Sequence, residues 1–379
     1  MSQRLICVLS AMTMMLCMGL MTACVTPPSE PLPGEVTEEV VIVWTDALDI
    51  GLENQGWTDT ANPYDRYPAR AEGVVREPVW ELAHHSAGLA VRFVTDSPSI
   101  HARWTLRNEN LAMFHMPATG VSGLDLYARD GDIWRYVGIA RPRHSPTNEV
   151  TLIEDIPSGP HEYLMYLPLY NGVRGLEIGI AEGARIAPAP PRPESHTQPL
   201  CFYGTSITQG GCASRPGMAY AAILGRRLGR EAINLGFSGN GKMEPEVADL
   251  LAELDPAVYV LNALPNMEVE MVDERVVPFV HTLRATHPDT PIVLIENFIY
   301  QGAWFEAELA EEIREKNEAL HRAFDALVAE GVTGIHLVES ANLLGHDGEP
   351  AVDGVHLTDL GFFRMADSME PILRDILGE

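Results

Sequence analysis

The sequence contains little lysine and has few basic residues overall. Among its 379 residues, 53 are Asp or Glu and 26 are Lys or Arg, which gives a formal net charge of -27. Lysine supplies two of these cations, Lys242 and Lys316. Proteins that bind DNA or RNA rely on clustered Lys and Arg to neutralise phosphates. This composition therefore excludes nucleic acid as a partner.

Cysteine is also scarce. Of the five cysteines, Cys7, Cys17 and Cys24 fall within the first 24 residues, which leaves Cys201 and Cys212 in the rest of the chain. Two cysteines are too few for a disulfide framework, and these two lack the spacing of metal ligands. They can pair in an oxidising compartment. The apolar strand pattern around Cys201 instead favours a buried free thiol.

Long apolar runs are confined to the start of the sequence. Residues 5–20 form an apolar segment after the single cation Arg4, and small residues follow before Cys24. This order is typical of a secretory signal peptide. The polar spacing after residue 24 excludes a multi-pass membrane protein.

The end of this segment, Met21-Thr22-Ala23-Cys24, resembles the lipobox of bacterial lipoproteins, with Met21 where Leu is usual. The resemblance implies that Cys24 is lipidated and becomes the new N-terminus, so that the chain binds the membrane through this residue alone. Val25 stands where an Asp would resemble an inner-membrane retention signal, which favours the outer membrane of a Gram-negative source. A plain signal peptide cut nearby and an uncleaved anchor are the alternatives.

Two Pro-rich segments divide the remainder of the chain. Residues 25–39 and 187–199 contain several prolines and little apolar surface, which predicts an extended tether and an interdomain linker. The predicted organisation is a signal peptide and lipobox in residues 1–24, a tether in 25–39, a first domain in 40–186, a linker in 187–199 and a second domain in 200–379.

The first domain has the pattern of a β-sandwich. Residues 87–95 and 99–106 alternate apolar and polar side chains at period two, and residues 130–132 (Asp-Gly-Asp) form a hairpin signal between two further strands. Many short strands without helical periodicity predict an all-β, jelly-roll-like sandwich. Its aromatic residues fit core packing better than a ligand-binding platform, although both interpretations stay open; they are Trp80, Trp104, Trp134 and Tyr136.

From residue 200 onward, strands and helices alternate. The strands are continuous apolar runs, as in residues 200–203, 257–261 and 291–295, and helical spacing separates them. Such strands are covered on both faces, which predicts a parallel sheet in a three-layer α/β/α domain. In these sheets, ligands bind at the carboxyl ends of the strands.

Two short motifs at such positions carry chemistry. Ser206 follows a strand on a Gly turn that leads toward a helix, where a hydroxyl is placed for nucleophilic attack and its own amide can face an oxyanion. Near the C-terminus, Asp353 precedes His356 by three residues, a spacing that lets the carboxylate orient the imidazole. His84, His85 and His346 are alternative candidates for the catalytic base.

Two quieter loops follow other strands. Gly239 lies in a Gly-rich turn where a backbone amide can approach a substrate, and Asn266 offers a side-chain amide donor. Each is an ordinary loop by itself. Together with the two motifs above, they place one candidate group after each of four elements.

This ordered set resembles the SGNH, or GDSL-type, hydrolases, and the resemblance covers residues 200–379. Ser206, Gly239, Asn266 and the Asp353/His356 pair match the family's four blocks in order. The departures from the family pattern are Thr205, Leu264 and Met267, which indicate a divergent branch.

An upstream motif strengthens this assignment. Residues 123–127 (Gly-Leu-Asp-Leu-Tyr) look like the Gly-x-Asp-Leu-Tyr signature of a β-sandwich domain found before such esterases. Bacterial proteins with this two-domain plan are similar to carbohydrate deacetylases, and at least one is an acyltransferase.

The resemblance implies a serine esterase acting on an acylated carbohydrate such as acetylated xylan. Ser206 would be the nucleophile, His356 the general base and acid, and Asp353 the group that orients His356. The oxyanion hole would combine the Ser206 and Gly239 amides with the Asn266 side chain. No metal or organic cofactor is expected. The alternatives are an acyltransferase with the same triad, a longer-chain lipase and a non-catalytic glycan-binding lipoprotein.

The residues that contact the substrate cannot be assigned from the sequence. Gln209, Arg215 and Glu296 are polar residues near the candidate loops, and a structural role is as compatible with the sequence as substrate binding.

Overall fold

The computed structural model describes residues 40–379. The predicted signal peptide, Cys24 and the predicted tether of residues 25–39 lie outside the described residues. Within residues 40–379, none of the helices combines the length and the apolar content needed to cross a bilayer.

Antiparallel strands occupy the first half of the described chain, and parallel strands the second. The first group is β1 (Ile42–Asp46), β2 (Leu52–Glu53), β3 (Ala90–Thr95), β4 (Ile100–Leu106), β5 (Leu124–Asp130), β6 (Ile133–Ala140), β7 (Thr147–Ile153), β8 (His161–Tyr166), β9 (Val173–Ala181) and β10 (Ile186–Pro188). The second group is β11 (Leu200–Gly204), β12 (Ala232–Gly236), β13 (Val258–Asn262), β14 (Ile292–Ile295) and β15 (Ile335–Val338).

Short helices accompany the antiparallel strands, and longer ones alternate with the parallel strands. The short ones are α1 (Ala47–Ile50), α2 (Glu77–Ala83) and α3 (Ala118–Val121). The others are α4 (Ser206–Gln209), α5 (Tyr220–Leu228), α6 (Pro245–Leu251), α7 (Val269–Thr286), α8 (Ala307–Ala329) and α9 (Asp359–Leu377).

The antiparallel strands form two facing sheets, in the orders β1-β9-β4-β7 and β10-β3-β8-β5-β6, with β2 beside β3. Inward residues of both sheets, among them Phe93 on β3 and Trp104 on β4, are fully buried in one core. The predicted hairpin joins β5 to β6 through a two-residue turn in which Gly131 has φ +59°. The β-sandwich is therefore confirmed, with α1, α2 and α3 as helical additions that the strand pattern did not predict.

The parallel strands form one sheet in the order β12-β11-β13-β14-β15. Alternate residues of β11 point to opposite faces: Cys201 and Tyr203 enter a core with α6, α7 and α8, and Leu200 and Phe202 enter a core with α5 and α9. All residues of β11, β12, β13 and β14 are buried. The predicted three-layer α/β/α arrangement is confirmed. Cys201 and Cys212 are both buried, unpaired thiols.

Part of the N-terminal half packs on the parallel sheet rather than inside the sandwich. Trp57, Tyr67 and Trp80 are buried in the same core as Ile233 and Leu235 of β12. The sequence pattern of residues 40–186 predicted that this segment belongs to the sandwich. That prediction is wrong for these three side chains, because periodicity does not show which sheet a buried side chain packs against. Residues 40–379 consequently form one compact unit.

The Pro-rich segment of residues 187–199 also lies against the body of the protein. Its start pairs with β3 as strand β10. Farther along, the Arg192 guanidinium contacts the Glu53 carboxylate at 2.6 Å and the Glu231 carboxylate at 3.5 Å. Arg192 therefore links this segment to Glu53 in the β-rich half and to Glu231 in the α/β half.

Candidate active site

Ser206 lies at the start of α4, directly after the carboxyl end of β11. The turn depends on Gly204, because a Cβ there would collide with the Asn262 carbonyl oxygen and Thr208 Oγ1. The Thr205 side chain caps α4 by accepting a hydrogen bond of 3.3 Å from the Ile207 amide. Ser206 itself is 6% exposed.

His356 and Asp353 complete a chain of hydrogen bonds from Ser206. The Ser206 Oγ lies 2.9 Å from His356 Nε2, although the two residues are 150 positions apart in sequence. The other ring nitrogen of His356, Nδ1, lies 2.7 Å from Asp353 Oδ2. This geometry permits proton transfer between serine and imidazole while the carboxylate orients the ring.

The Asp353 carboxylate is held in its ionised form. Partial burial acts to raise its pKa, but hydrogen bonds from the His356 amide and ring and from the Val355 amide outweigh burial and lower the pKa to about 2. Because this carboxylate can only accept a hydrogen bond, His356 Nδ1 carries the shared proton. The lone pair of Nε2 is then free to accept the Ser206 proton.

The two other predicted loops lie beside this chain of hydrogen bonds. The Phe237 amide donates to the Gly204 carbonyl at 2.9 Å, which fixes the loop after β12 against the turn before Ser206. In that loop Gly239 is exposed and has φ +69°. Asn266 ends a 3₁₀ turn after β13, and its Oδ1 accepts a hydrogen bond of 3.3 Å from the Gly241 amide. Neither residue bonds to the Ser206 side chain in the described structure.

Arg66 is a residue near the site that the sequence did not reveal. Its guanidinium is 2% exposed and donates to the carbonyl oxygens of Asn234 at 3.0 Å and Gly236 at 2.6 Å. It also donates to Leu82 and His85 carbonyls. Burial lowers the pKa of Arg66 to about 10, which leaves it charged at neutral pH. Arg66 thus positions the end of β12, from which the Gly239 loop departs.

His115 and Tyr170 are two further neighbours that sequence reasoning missed. The His115 ring lies edge-on to the His356 ring, with centroids 5.5 Å apart. The Tyr170 hydroxyl donates to the Ser206 carbonyl at 3.3 Å. Both come from the β-rich half of the chain, and no local motif marks residues that become neighbours only through tertiary packing.

Large aromatic side chains are exposed on two segments that contact His356 or the loop before it. Phe114, which stacks on His115, is 98% exposed, while Trp304 and Phe305 are 86% and 79% exposed. The loop before Trp304 contacts the catalytic loop directly, since the Gln301 amide donates to the Gly354 carbonyl at 3.0 Å. The Trp304 and Phe305 rings lie side by side with centroids 5.3 Å apart, and adjoining exposed apolar groups of this kind are candidates for a binding surface.

The polar residues considered as substrate contacts are engaged within the protein. Gln209 is fully buried and donates to the Leu169 carbonyl at 3.0 Å. Arg215 contacts the Asp125 carboxylate at 2.7 Å. Glu296 accepts from the Ser340 amide at 2.8 Å. These bonds give each of the three a structural role.

The three competing histidines likewise have partners away from Ser206. His84 Nδ1 contacts Asp65 at 2.8 Å, His85 Nδ1 contacts the Gln209 side chain at 3.0 Å, and His346 Nε2 contacts Asn342 at 3.2 Å. The four aromatic residues that the sequence assigned to the sandwich differ in exposure. Trp80 and Trp104 are buried, Trp134 is partly buried, and Tyr136 is 45% exposed.

Comparisons with known proteins agree with this architecture. The profile of the GDSL-like Lipase/Acylhydrolase family matches residues 197–374. A second profile, GxDLY, the N-terminus of Esterase_SGNH_hydro-type proteins, matches residues 42–186. No curated protein sequence matches the chain.

Solved structures extend the likeness to both halves of the chain. A structure from Bacteroides ovatus ATCC 8483, described as a GDSL-like lipase, has a TM-score of 0.84 and 36% sequence identity, covering 89% of this chain and 98% of that one. A salicylyl-acyltransferase from a tetracycline biosynthetic pathway has a TM-score of 0.73 and 18% identity, covering 88% of this chain and 97% of that one.

An acetyl xylan esterase from the rumen bacterium Butyrivibrio proteoclasticus has a TM-score of 0.55 and 12% identity, covering 89% of this chain and 99% of that one. At such identities the acyltransferase and the xylan esterase show a shared fold alone. The Bacteroides structure is similar enough over its whole length to show the family. The chain thus belongs to the GDSL-like lipase/acylhydrolase family, the SGNH hydrolases, and carries the GxDLY domain at its N-terminal side.

Proposed function

We propose that this protein is a serine esterase that removes acetyl or other short acyl groups from a carbohydrate. The observation that carries the proposal is the hydrogen-bonded series Ser206, His356 and Asp353 at the carboxyl end of the parallel sheet. Family membership supports the hydrolase class.

In the proposed mechanism, Ser206 Oγ attacks the ester carbonyl as its proton passes to His356 Nε2. His356 then gives that proton to the departing sugar oxygen, which leaves an acyl group on Ser206. A water molecule attacks this acyl-enzyme with His356 again as the base, and the acid is released as Ser206 regains its proton. Asp353 stays ionised throughout and stabilises the imidazolium that forms in both halves of the reaction.

The oxyanion would be stabilised by the Ser206 and Gly239 amides and by the Asn266 side chain. Support comes from the position of Ser206 at the first turn of α4 and from the φ of +69° that turns the exposed Gly239 backbone. The Asn266 amide oxygen accepts a hydrogen bond from the Gly241 amide, so the NH₂ group of Asn266 is the end of the side chain that can donate to the oxyanion. Such preorganised donors stabilise the developing negative charge more than the ground-state carbonyl.

A carbohydrate substrate is supported by the exposed rings of Phe114, Trp304 and Phe305, which lie on segments that contact His356 or the loop before it. Flat aromatic faces open to solvent offer apolar contact to the C–H faces of sugar rings while hydroxyl groups stay hydrated. The acetyl xylan esterase with the same fold is consistent with this class of substrate. A long acyl chain would instead need an enclosed apolar cleft.

The proposal is tested by following hydrolysis of p-nitrophenyl acetate, butyrate and octanoate together with acetate release from acetylated xylan. We expect Ser206-dependent acetate release and a steep fall in rate with acyl length. Ser206→Ala is the control, and wild-type-like activity in this variant would contradict the mechanism. A preference for octanoate would indicate a lipase. Acyl transfer to added sugars that outcompetes water would indicate an acyltransferase, and inactivity on every ester would indicate a glycan-binding protein.

We also propose that the protein is exported and anchored through a lipid on Cys24, in the outer membrane if the source is Gram-negative. The support is the signal-peptide pattern of the first 24 residues. Expression in a Gram-negative host with a labelled fatty acid should give a labelled protein in the membrane fraction. Cys24→Ala should remove the label, and labelling that persists in this variant would refute the anchor.

A further inference from the structure

Three side chains beside the proposed catalytic serine have the composition of a transition-metal site. One ring nitrogen each of His115 and His356 and the sulfur of Cys212 lie within 4.8 Å of one another. They come from three separate parts of the chain, so that only the folded protein brings them together. Imidazole nitrogen and thiolate sulfur are the ligands that Zn²⁺ prefers.

Two of these groups have no hydrogen-bond partner within residues 40–379. His115 Nδ1 is buried and accepts or donates no hydrogen bond within the described structure. Cys212 is a buried free thiol, 5% exposed. A buried polar atom without a partner carries a free-energy cost, and a bound ion would remove it. Neither group is used by the proposed esterase mechanism.

The third group, His356, already has the support that metal-binding histidines need. Its Nδ1 donates to Asp353 Oδ2 at 2.7 Å, which leaves the lone pair on Nε2. A carboxylate behind a ligating histidine is the usual outer partner in zinc sites, because it fixes the tautomer and raises the basicity of the ring. The arrangement that prepares His356 as a base therefore also prepares it as a ligand.

The segments that carry the three side chains are held together by close contacts. The Thr119 hydroxyl, four residues after His115, donates to the Ser214 carbonyl at 2.6 Å. A Cβ at Gly120 would collide with the Ala213 carbonyl, so the two backbones are in direct contact. The Ser214 amide in turn donates to Asp359 at 2.9 Å, at the start of the helix that follows His356.

We propose that His115, Cys212 and His356 form a binding site for a thiophilic divalent cation, exemplified by Zn²⁺, and that occupation of this site inhibits the enzyme reversibly. Tetrahedral zinc with bonds of about 2.0–2.3 Å needs ligand atoms roughly 3.3–3.6 Å apart. The three atoms lie within 4.8 Å of one another, so metal binding requires side-chain rotations that bring them closer. A water molecule or the Ser206 oxygen can occupy the fourth position.

Inhibition follows from competition for one lone pair. The metal and the Ser206 proton both require His356 Nε2, so a metal-bound His356 cannot act as a base. Binding also displaces the Cys212 thiol proton, because a metal binds the thiolate. Burial raises the pKa of Cys212 to about 12, and removing this proton lowers the affinity relative to a preformed thiolate. The inhibitory effect rests on the proposed esterase function, whereas the metal site does not.

Binding is tested first without any activity measurement. Co²⁺ titrated into the purified protein under reducing conditions should produce thiolate-to-cobalt charge-transfer absorption with a stoichiometry of one. Cys212→Ser and Cys212→Ala should abolish this absorption. His115→Gln removes a ligand and should weaken binding by more than the about 10–100-fold that loss of an outer-shell partner costs. Cys201→Ala is the matched control, since Cys201 is the other buried thiol and should leave the spectrum unchanged.

Inhibition is tested with p-nitrophenyl acetate in zinc buffers of defined free concentration. Wild-type protein and Cys201→Ala should be inhibited and should recover with a chelator. Cys212→Ser should keep the basal rate. Cys212→Ser and His115→Gln, each compared with its own zinc-free rate, should require more zinc than the wild type, by more than the about 10–100-fold that loss of an outer-shell partner costs. Ser206→Ala, which lacks the competing hydroxyl, should bind Co²⁺ at least as tightly as wild type, and this result separates the metal site from the esterase function.

The proposal is overturned if Co²⁺ gives no thiolate absorption, or if Cys212→Ser and His115→Gln bind Co²⁺ like the wild type. It is also overturned if zinc inhibits these variants at the wild-type concentration, because His356 alone would then account for the effect. If Co²⁺ binds as expected but the protein hydrolyses no ester, the site stands and the esterase function fails.

Discussion

The Asp125 carboxylate on β5 accepts a hydrogen bond of 2.7 Å from the Arg215 guanidinium, which lies in the loop between α4 and α5. Asp125 is fully buried and also accepts from the Gly217 amide at 3.1 Å. Tyr127, two residues further along β5, contacts Arg215 as well. The Asp and Tyr of the Gly-x-Asp-Leu-Tyr signature thus fix the β-rich half to the loop that follows α4.

Loss of Arg215 should destabilise the protein severely. Arg215→Ala leaves the Asp125 charge buried without its partner, and burial already acts to raise the pKa of Asp125. We expect a loss of about 3–5 kcal/mol in the free energy of unfolding, measured by urea denaturation. Arg135→Ala is the control, because Arg135 and Asp130 form an ion pair with both side chains more than 60% exposed. That variant should lose less than about 1 kcal/mol, and equal losses in the two variants would contradict the argument.

Asp353→Asn should reduce kcat by about 10⁴-fold with little change in KM. An amide in this place favours the tautomer with the proton on His356 Nε2, which then cannot accept the Ser206 proton. Steady-state kinetics with p-nitrophenyl acetate measures the effect. Because the pKa of Asp353 is about 2, the carboxylate remains ionised down to about pH 3. A loss of activity with an apparent pKa near that of an ordinary carboxyl would argue against this role.

Asn266→Ala should lower kcat by about 10²–10³-fold while the protein still binds its substrate. The variant removes one donor to the oxyanion and leaves Ser206 and His356 in place. Asn240→Ala is a suitable control, since Asn240 lies in the adjacent loop, where its side chain contacts Arg76. Similar kinetic losses in both variants would indicate a general disturbance of the loops instead of a lost donor.

His85 should make the folded state sensitive to acid. Burial and the neighbouring Arg66 charge lower the pKa of His85 from 6.5 to about 3. Between these two values the unfolded chain binds a proton that the folded chain does not, so stability falls as the pH decreases from about 6.5 toward 3. Urea denaturation of wild type and His85→Gln across this range should show a shallower pH dependence in the variant. Parallel curves would rule His85 out as the cause.

Trp304→Ala should impair the use of a polymer more than that of a small ester. The ring is 86% exposed, so its removal costs little stability. We expect KM for acetylated xylan to rise about 10-fold, equivalent to about 1.4 kcal/mol of binding free energy, while p-nitrophenyl acetate kinetics stay unchanged. Phe363→Ala, which removes a 46% exposed ring on α9, is the control. An unchanged KM for the polymer in Trp304→Ala would remove this ring from the binding surface.

The sequence predicted the parallel sheet and the hydrogen-bonded series at Ser206 because both leave local signals. Buried parallel strands are continuous apolar runs, and Ser206, Asp353 and His356 lie in short motifs at strand or helix ends. Arg66 and His115 leave no such signal. Arg66 contacts carbonyl oxygens 168 and 170 residues away, and nothing in its own neighbourhood marks it as buried.

The short helix α2 was missed for a related reason. Its buried side chains Val79 and Trp80 cover the parallel sheet, so they do not continue the period-two pattern of the strands around them. Periodicity indicates that a side chain is buried, but it does not indicate which element of the fold packs against that side chain. The exposed ring of Trp304 was not predicted either. Tryptophan is usually buried, and residue type alone does not show which tryptophan side chains are exposed.

The packing of Trp57, Tyr67 and Trp80 against β12 has a consequence for how the chain folds. These residues leave the ribosome about 150–175 positions before the strand that they cover, and until then that strand cannot cover their apolar surfaces. The parallel sheet in turn cannot exclude water from that face without them. The two halves should therefore melt in one cooperative transition, with no stable half-folded intermediate, even though the sequence divides into two recognisable modules.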